Sequence, residues 1–229
     1  MKYLIVGLGN FGASLGQKLT AEGHEVIGID NNMTKVEMYK EKITHTICMD
    51  STDQFTMSGL PLKDTDIVIV AIGENQGANI MTTAVLKNLN VKRLISRAIT
   101  PLHETVLQAM GVDEIVHPEE ETAERWAKKL IMRGIVDSFE LSEEFSIVEI
   151  NVPAQYIGKT LEEIGFRKNH NLVVLTTIKR TKEINLLGQP KLVNFVQGVA
   201  SPKTRLNEGD IMVIYGHEKD IKHLLGVGS

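Results

Sequence analysis

The chain has 229 residues, 42% of them hydrophobic and 24% charged, and a net charge of −4 at neutral pH. That composition belongs to a globular protein able to bury two modest cores, and it lacks the basic excess that nucleic acid or an anionic membrane surface attracts. A single cysteine, Cys48, excludes an internal disulfide framework and a multi-cysteine zinc site, and no apolar run approaches the ~20 residues that span a bilayer. The apolar start at Met1–Val6 is cut by Gly7 and Gly9 well short of a signal-peptide core, so the chain reads as cytoplasmic.

Lys2 to Val6 reads as a strand, Gly7-Leu8-Gly9-Asn10-Phe11-Gly12 as a turn, Ala13 to Glu22 as a helix, and Glu25 to Ile29 as a second strand that ends on Asp30. Strand, glycine turn, helix, strand and acid form the fingerprint of dinucleotide binding. Gly7 tightens the turn, Gly9 lets backbone approach a pyrophosphate, and Gly12 packs helix against strand, while the first helical turn offers free N–H groups to phosphate. Asp30 stands ~20 residues past the glycines, where a carboxylate accepts both ribose hydroxyls and repels a 2′-phosphate. That disfavours NADP.

Asn32 caps a helix through Met33, Val36 and Tyr39, and Thr46 to Met49 is a third strand. Asp50-Ser51-Thr52 follows at the carboxyl end of that strand, the ligand side of an open α/β sheet, although residue types alone favour a helix cap by Thr52 or Asp53. Ile67 to Ala71 is a continuous β-branched run typical of a strand buried on both faces. Ile72-Gly73-Glu74-Asn75 turns into a helix through Ala78, Met81, Val85 and Leu89. Arg93 to Ser96 is a further strand ending at Arg97, Pro101 opens a helix through Leu107, and Glu114 to Val116 is the last strand of a doubly wound sheet. His117-Pro118-Glu119-Glu120-Glu121 starts a helix through Trp126 and Leu130. Its acids either complement the helix dipole or, at Glu119, face a divalent cation near the nucleotide phosphates.

The pattern changes after residue 132. Residues 133–144, with Gly134, Ser138 and Ser142, read as a linker, and residues 145–229 as a small α+β module. Ser146 to Val152, Leu172 to Lys179, Leu192 to Val199 and Ile211 to Tyr215 are its strands. Thr160 to Ile164 and Glu218 to Leu225 are its helices, and Lys182 to Arg205, with Gly188, Pro190, Gly198 and Pro202, is a long hairpin or extended loop. Catalytic chemistry is thin. His170, His217 and His223 are scattered, and no Ser/His/Asp or Cys/His arrangement follows from their spacing. The inventory describes binding without a reaction; the alternative, an NAD-dependent oxidoreductase of unknown substrate, rests on the same glycine turn and Asp30.

Taken together, Gly7-Leu8-Gly9-Asn10-Phe11-Gly12, Asp30, Asp50-Ser51-Thr52, Val70-Ala71-Ile72-Gly73, Gly111 to Glu119 and Glu208-Gly209-Asp210 before Ile211 to Gly216 resemble the regulatory subunits of Trk/Ktr potassium transporters. These are an RCK (KTN, or TrkA-N) nucleotide-binding domain followed by an RCK C-terminal (TrkA-C) domain. The resemblance implies a Rossmann-like doubly wound parallel sheet in residues 1–132, a linker at 133–144 and the α+β C-terminal domain at 145–229. It implies a regulatory subunit that gates a membrane-embedded potassium-translocating subunit, bound to its cytoplasmic face as a homo-oligomer, a dimer within an octameric ring. The implied cofactor is NAD(H) or ATP/ADP, with a divalent cation at Glu119. Its site residues are Gly7, Gly9, Asn10, Phe11, Gly12, Asp30, Asn32, Asp50, Ser51, Thr52, Ile72, Gly73 and Arg97. Where ATP-sensing members carry an arginine for the terminal phosphate this chain has Asn10, which lacks that charge. The resemblance also raises cyclic di-AMP as a ligand of the second domain, where an asparagine is expected in the strand after Arg167 and this chain has Val173.

Overall fold

The computed structural model describes residues 1–131, 134–184 and 189–226. In chain order the first part holds β1 (Lys2–Val6), α1 (Asn10–Ala21), β2 (Glu25–Asp30), α2 (Met33–Tyr39), β3 (His45–Cys48) and α3 (Gln54–Ser58). It continues through β4 (Ile67–Val70), α4 (Gln76–Asn88), β5 (Leu94–Arg97), α5 (Pro101–Ala109), β6 (Glu114–Val116) and α6 (Pro118–Ile131). Its strands form one six-stranded parallel sheet in the order β3-β2-β1-β4-β5-β6. Successive side chains of a strand enter opposite layers. Leu4 and Val6 pack with Val68, Val70, Leu86 and Leu94 in one core, whereas Ile5 packs with Val26, Ile69 and Ala71 in another. Helices cover both faces, the doubly wound arrangement that the continuous apolar strands require.

Local chemistry sets the helix starts. The Asn32 side chain accepts from Thr34 N–H, Asp53 from Phe55 N–H, Asn75 from Ala78 N–H, and Thr100 from His103 N–H ahead of Pro101. The cap of α3 is thus Asp53, which leaves Asp50, Ser51 and Thr52 free of that duty.

The remaining elements are β7 (Ile135–Glu140), β8 (Phe145–Asn151), a 3-10 turn at Ala154–Tyr156, α7 (Leu161–Ile164), α8 (Phe166–His170), β9 (Val173–Ile184), β10 (Pro190–Val196), β11 (Ile211–His217) and α9 (Glu218–Leu224). They build an antiparallel five-stranded sheet, β10-β9-β11-β8-β7, over a core that includes Val148, Ile150, Phe166, Leu172, Leu206, Met212 and Ile214. The segment expected as a linker is largely strand β7, paired with β8 from Ile135↔Ile150 to Glu140↔Ser146. A register shift between Ile135 and Asp137 breaks the alternation that betrays a strand in sequence. Arg133 and Gly188 lie outside the described residues. The expected hairpin is the β9–β10 pair, matched from Ile184↔Pro190 to Ile178↔Val196. The chain divides into two compact units, Met1–Glu120 and Glu121–Ser229, and the division falls inside α6. No described helix is long and apolar enough to cross a membrane.

Candidate functional site

A cavity of about 320 Å³ opens at the carboxyl ends of the parallel strands, where the strand order reverses between β1 and β4. Its floor is the turn from β1 into α1. Gly7 has φ +98°, and a Cβ there would come within 3.0 Å of the Ile72 nitrogen, so both conformation and space demand glycine. Gly9 is the N-cap of α1 and has no side chain to close the helix start, which leaves the N–H groups at Asn10 and Phe11 directed toward an incoming anion. A Cβ at Gly9 would meet nothing within 4 Å, whereas one at Gly12 would fall 2.0 Å from the Gly7 carbonyl oxygen and 2.9 Å from the Ala71 Cβ.

Asp30 ends β2 and is 8% exposed. Its Oδ2 accepts from Leu8 N–H at 2.8 Å and its Oδ1 from Asn32 N–H at 2.9 Å, so the carboxylate braces the glycine turn before any ligand arrives. Asp30 also lines the cavity, with Lys35 Nζ 3.9 Å from its Oδ2. After β3, Asp50 Oδ1 accepts from Thr52 N–H at 2.9 Å and Thr52 Oγ1–H at 2.7 Å, a closed polar turn along the wall. Ser51, 7% exposed, is tied to Thr82 of α4 through a 2.8 Å hydroxyl contact.

Arg97 enters from the end of β5. Its guanidinium lies against Gly73, where a Cβ would sit 2.4 Å from Cζ, and only glycine admits that pose. Nη1 donates to the Ala71 carbonyl at 3.3 Å, Nη2 donates to Glu119 Oε1 in an ion pair, and Cζ stands 6.0 Å from the centre of the Phe11 ring. The Arg97 side chain is 14% exposed and that of Glu119 64%. Arg97 Nε is buried and has no hydrogen-bond partner among the described residues. Behind this wall Asn79, fully buried in α4, donates through Nδ2 to the carbonyls of Ile72 at 2.9 Å and Arg97 at 3.1 Å, linking the ends of β4 and β5.

Gly7, Gly9, Asn10, Phe11, Asp30, Asp50, Ser51, Thr52, Ile72, Gly73, Arg97 and Glu119 all line this cavity. Gly12 and Asn32 do not. Gly12 is a packing glycine beneath the turn, and Asn32 caps α2. The sequence reading missed Asn31, Lys35, Glu74, Asn75 and Ala78, which also line it. Lys35 could have been found as the residue one turn past the Asp30 strand end on a helix starting at the ligand side. Glu119, the residue expected beside a cation, is paired here with Arg97, and among the described residues no group of three or more His, Cys, Asp or Glu side chains stands together. The cavity lining includes no histidine, tyrosine or cysteine; its titratable side chains are Asp30, Lys35, Asp50, Glu74, Arg97 and Glu119.

Residues 3–118 match the family model for the TrkA-N domain. The chain is 36% identical over 222 residues to the Ktr system potassium uptake protein C of Bacillus subtilis, covering 96% of this chain and 94% of that protein. It is 31% identical over 227 residues to the Ktr system potassium uptake protein A of the same organism, covering 99% and 96%. A solved structure of the GsuK channel bound to NAD superimposes with a TM-score of 0.65 at 19% identity, over 100% of this chain and 40% of that one, a likeness of fold. The matched domain contains every cavity residue except Glu119, and the relatives extend the likeness across both units. The chain belongs to the TrkA-N domain family, and the Ktr system potassium uptake proteins are its full-length relatives.

Proposed function

We propose that this chain is a nucleotide-binding regulatory subunit of a potassium transport system, converting occupancy of the first-unit cavity into a change of conformation that a membrane-embedded potassium-translocating subunit reads. The observation that carries the reading is the convergence, in one cavity, of the glycine turn, the start of α1, Asp30 and Arg97, in a chain whose full-length relatives are potassium uptake proteins. The ligand is an adenine nucleotide: ATP/ADP or NAD(H). Its phosphates lie over Gly9, Asn10 and Phe11, its ribose hydroxyls reach Asp30, and its base lies along Asp50, Ser51 and Thr52. Asn10 brings no charge to the phosphates, so Arg97 supplies the cavity's guanidinium from the carboxyl end of β5. The subunit acts by binding, without turnover. Regulation requires the ligand to prefer one conformation, because equal affinity for two shifts nothing. The subunit works as a homo-oligomeric ring on the cytoplasmic face of its partner. The oxidoreductase alternative is set aside because the full-length relatives are potassium uptake proteins.

Isothermal titration of the nucleotide-stripped protein with ATP, ADP, NAD and NADH tests the reading. Saturable binding of at least one of them, with the nucleotide recovered unchanged, is the expected result. Failure of all four to bind, or conversion of any of them, would overturn it.

A further inference from the structure

We propose that the β9–β10 hairpin is an arm that seats on an anionic lipid surface, its apolar side chains entering the headgroup layer and its basic ones pairing with lipid phosphates. The inference lies outside the nucleotide cavity and rests only on the part of the reading above that sets the subunit beside a membrane. The geometry comes from strand register. β11 pairs with β9 from Tyr215↔Val173 as far as Ile211↔Ile178, whereas β10 runs alongside β9 from Val196↔Ile178 to Pro190↔Ile184. Beyond Ile178 the sheet therefore narrows to two strands, with β10 at its edge. Six residue pairs at ~3.4 Å each make an arm of about 20 Å.

A free two-stranded ribbon is marginal in water. This one also leaves its apolar side chains uncovered: Ile184 is 78% exposed, Leu192 60%, Phe195 52% and Val196 64%. Strand alternation puts Ile184, Leu192 and Val196 on one face and Phe195 on the other. A partner packed on one face of the ribbon covers one set and leaves the other in water. A lipid surface entered by the arm covers both. Charge then names the surface. Between residues 179 and 205 stand Lys179, Arg180, Lys182, Lys191, Lys203 and Arg205 against the single acid Glu183, a net +5 in a chain whose total is −4. The mild overall charge thus conceals a basic arm on an acidic body, which an anionic surface attracts by the arm and repels elsewhere. Lys179 is exposed and lies directly across from Phe195, and Arg180 donates through Nη1 to the neutral Asn151 Oδ1 at 3.2 Å. At a bilayer interface such a mixture is stable, because apolar side chains enter by ~5–10 Å while Lys and Arg stay with the phosphates. A second copy would bring an arm of the same sign, and like charge opposes edge-to-edge pairing of the two.

The test is co-sedimentation of the full chain with vesicles of phosphatidylcholine alone and of phosphatidylcholine mixed with phosphatidylglycerol, at about 0.1 M and about 1 M salt. Wild type is compared with the double variants Leu192→Ser/Phe195→Ser and Lys179→Gln/Arg180→Gln. Wild type is expected to bind the anionic vesicles about tenfold or more tightly than the neutral ones, with the preference lost at high salt. Each double variant is expected to weaken that binding about fivefold or more, with thermal midpoint and nucleotide titration unchanged. In a Trp126→Phe background, which removes the chain's one tryptophan, Phe195→Trp reports insertion directly by a blue shift of its emission on anionic vesicles. Wild type that ignores anionic vesicles overturns the proposal, as does binding undiminished in Leu192→Ser/Phe195→Ser or an unshifted Phe195→Trp. Self-association abolished by Leu192→Ser/Phe195→Ser, without vesicle binding, overturns it in favour of a second copy. None of these results touches the nucleotide-binding reading, which the titration of wild type decides by itself.

Discussion

Gly9 and Gly12 are three positions apart in one motif and answer to opposite constraints. At Gly12 an added methyl would press into the Gly7 carbonyl and Ala71, neither of which can yield without opening the β1–α1 turn. Gly12→Ala is expected to destabilise the first unit by about 2 kcal/mol or more, the cost of overpacking against backbone. At Gly9 the methyl enters open space in the cavity. Gly9→Ala is expected to leave stability within about 0.5 kcal/mol of wild type while weakening nucleotide binding by about tenfold, since the methyl occupies the closest approach to phosphate. Thermal denaturation and titration of the two variants separate these effects, and equal losses of stability in both would contradict the assignment. The motif was legible because glycine's role depends on backbone, which sequence spacing reports. Lys35, Asn31 and Glu74 were not, because their place in the cavity comes from the ends of separate elements meeting at one sheet edge.

Within the α4–β5–α5 layer the polar side chains form a closed network in an otherwise apolar setting. Asn79 gives its amide hydrogens to two backbone carbonyls, which fixes its Oδ1 as an acceptor for Ser96 at 3.1 Å and for His103 Nε2 at 3.2 Å. His103 is therefore the tautomer with hydrogen on Nε2, and its buried Nδ1 has no partner among the described residues. A second proton would place an unpaired N–H in the interior, and burial holds the His103 pKa below its ordinary 6.5. Between that value and the lowered one the unfolded chain takes up a proton that the folded chain refuses. Stability is thus complete above about pH 6.5 and falls as the pH drops through and below it. His103→Gln is expected to flatten the fall in unfolding free energy between about pH 7.5 and 5.5 relative to wild type; parallel denaturant-unfolding curves across that range would refute it. None of this network was read from the sequence, since Asn79, Ser96 and His103 meet through tertiary packing. The central strands were legible because both faces are buried and the apolar runs are continuous. β7 was not, because its register shift and its exposed Phe139 at the sheet edge blur the alternation.

On the scale of the chain, each unit carries its own core: one packed on both faces of the parallel sheet, the other on the antiparallel sheet with α7 to α9. The cavity lies wholly within the first. Ligand that binds a folded unit and not its unfolded form stabilises that unit by RT ln(1 + [L]/Kd), about 2.7 kcal/mol at a hundredfold excess over Kd. For a unit of this size that raises its unfolding midpoint by about 10 °C. Calorimetry is therefore expected to resolve two transitions, and saturating nucleotide to move the one belonging to residues 1–120 while the other stays within about 2 °C. Limited proteolysis of the partly unfolded protein identifies which half has melted at the first transition. A single transition that moves as a whole with nucleotide would instead mean that the two cores unfold together, with α6 transmitting stability as well as chain connection. Either outcome bears on regulation, because a subunit that senses nucleotide in one unit and acts through another requires some free energy to cross between them. Separate transitions limit that coupling to less than the stability of either core, which is the range in which a cellular nucleotide concentration can tip it.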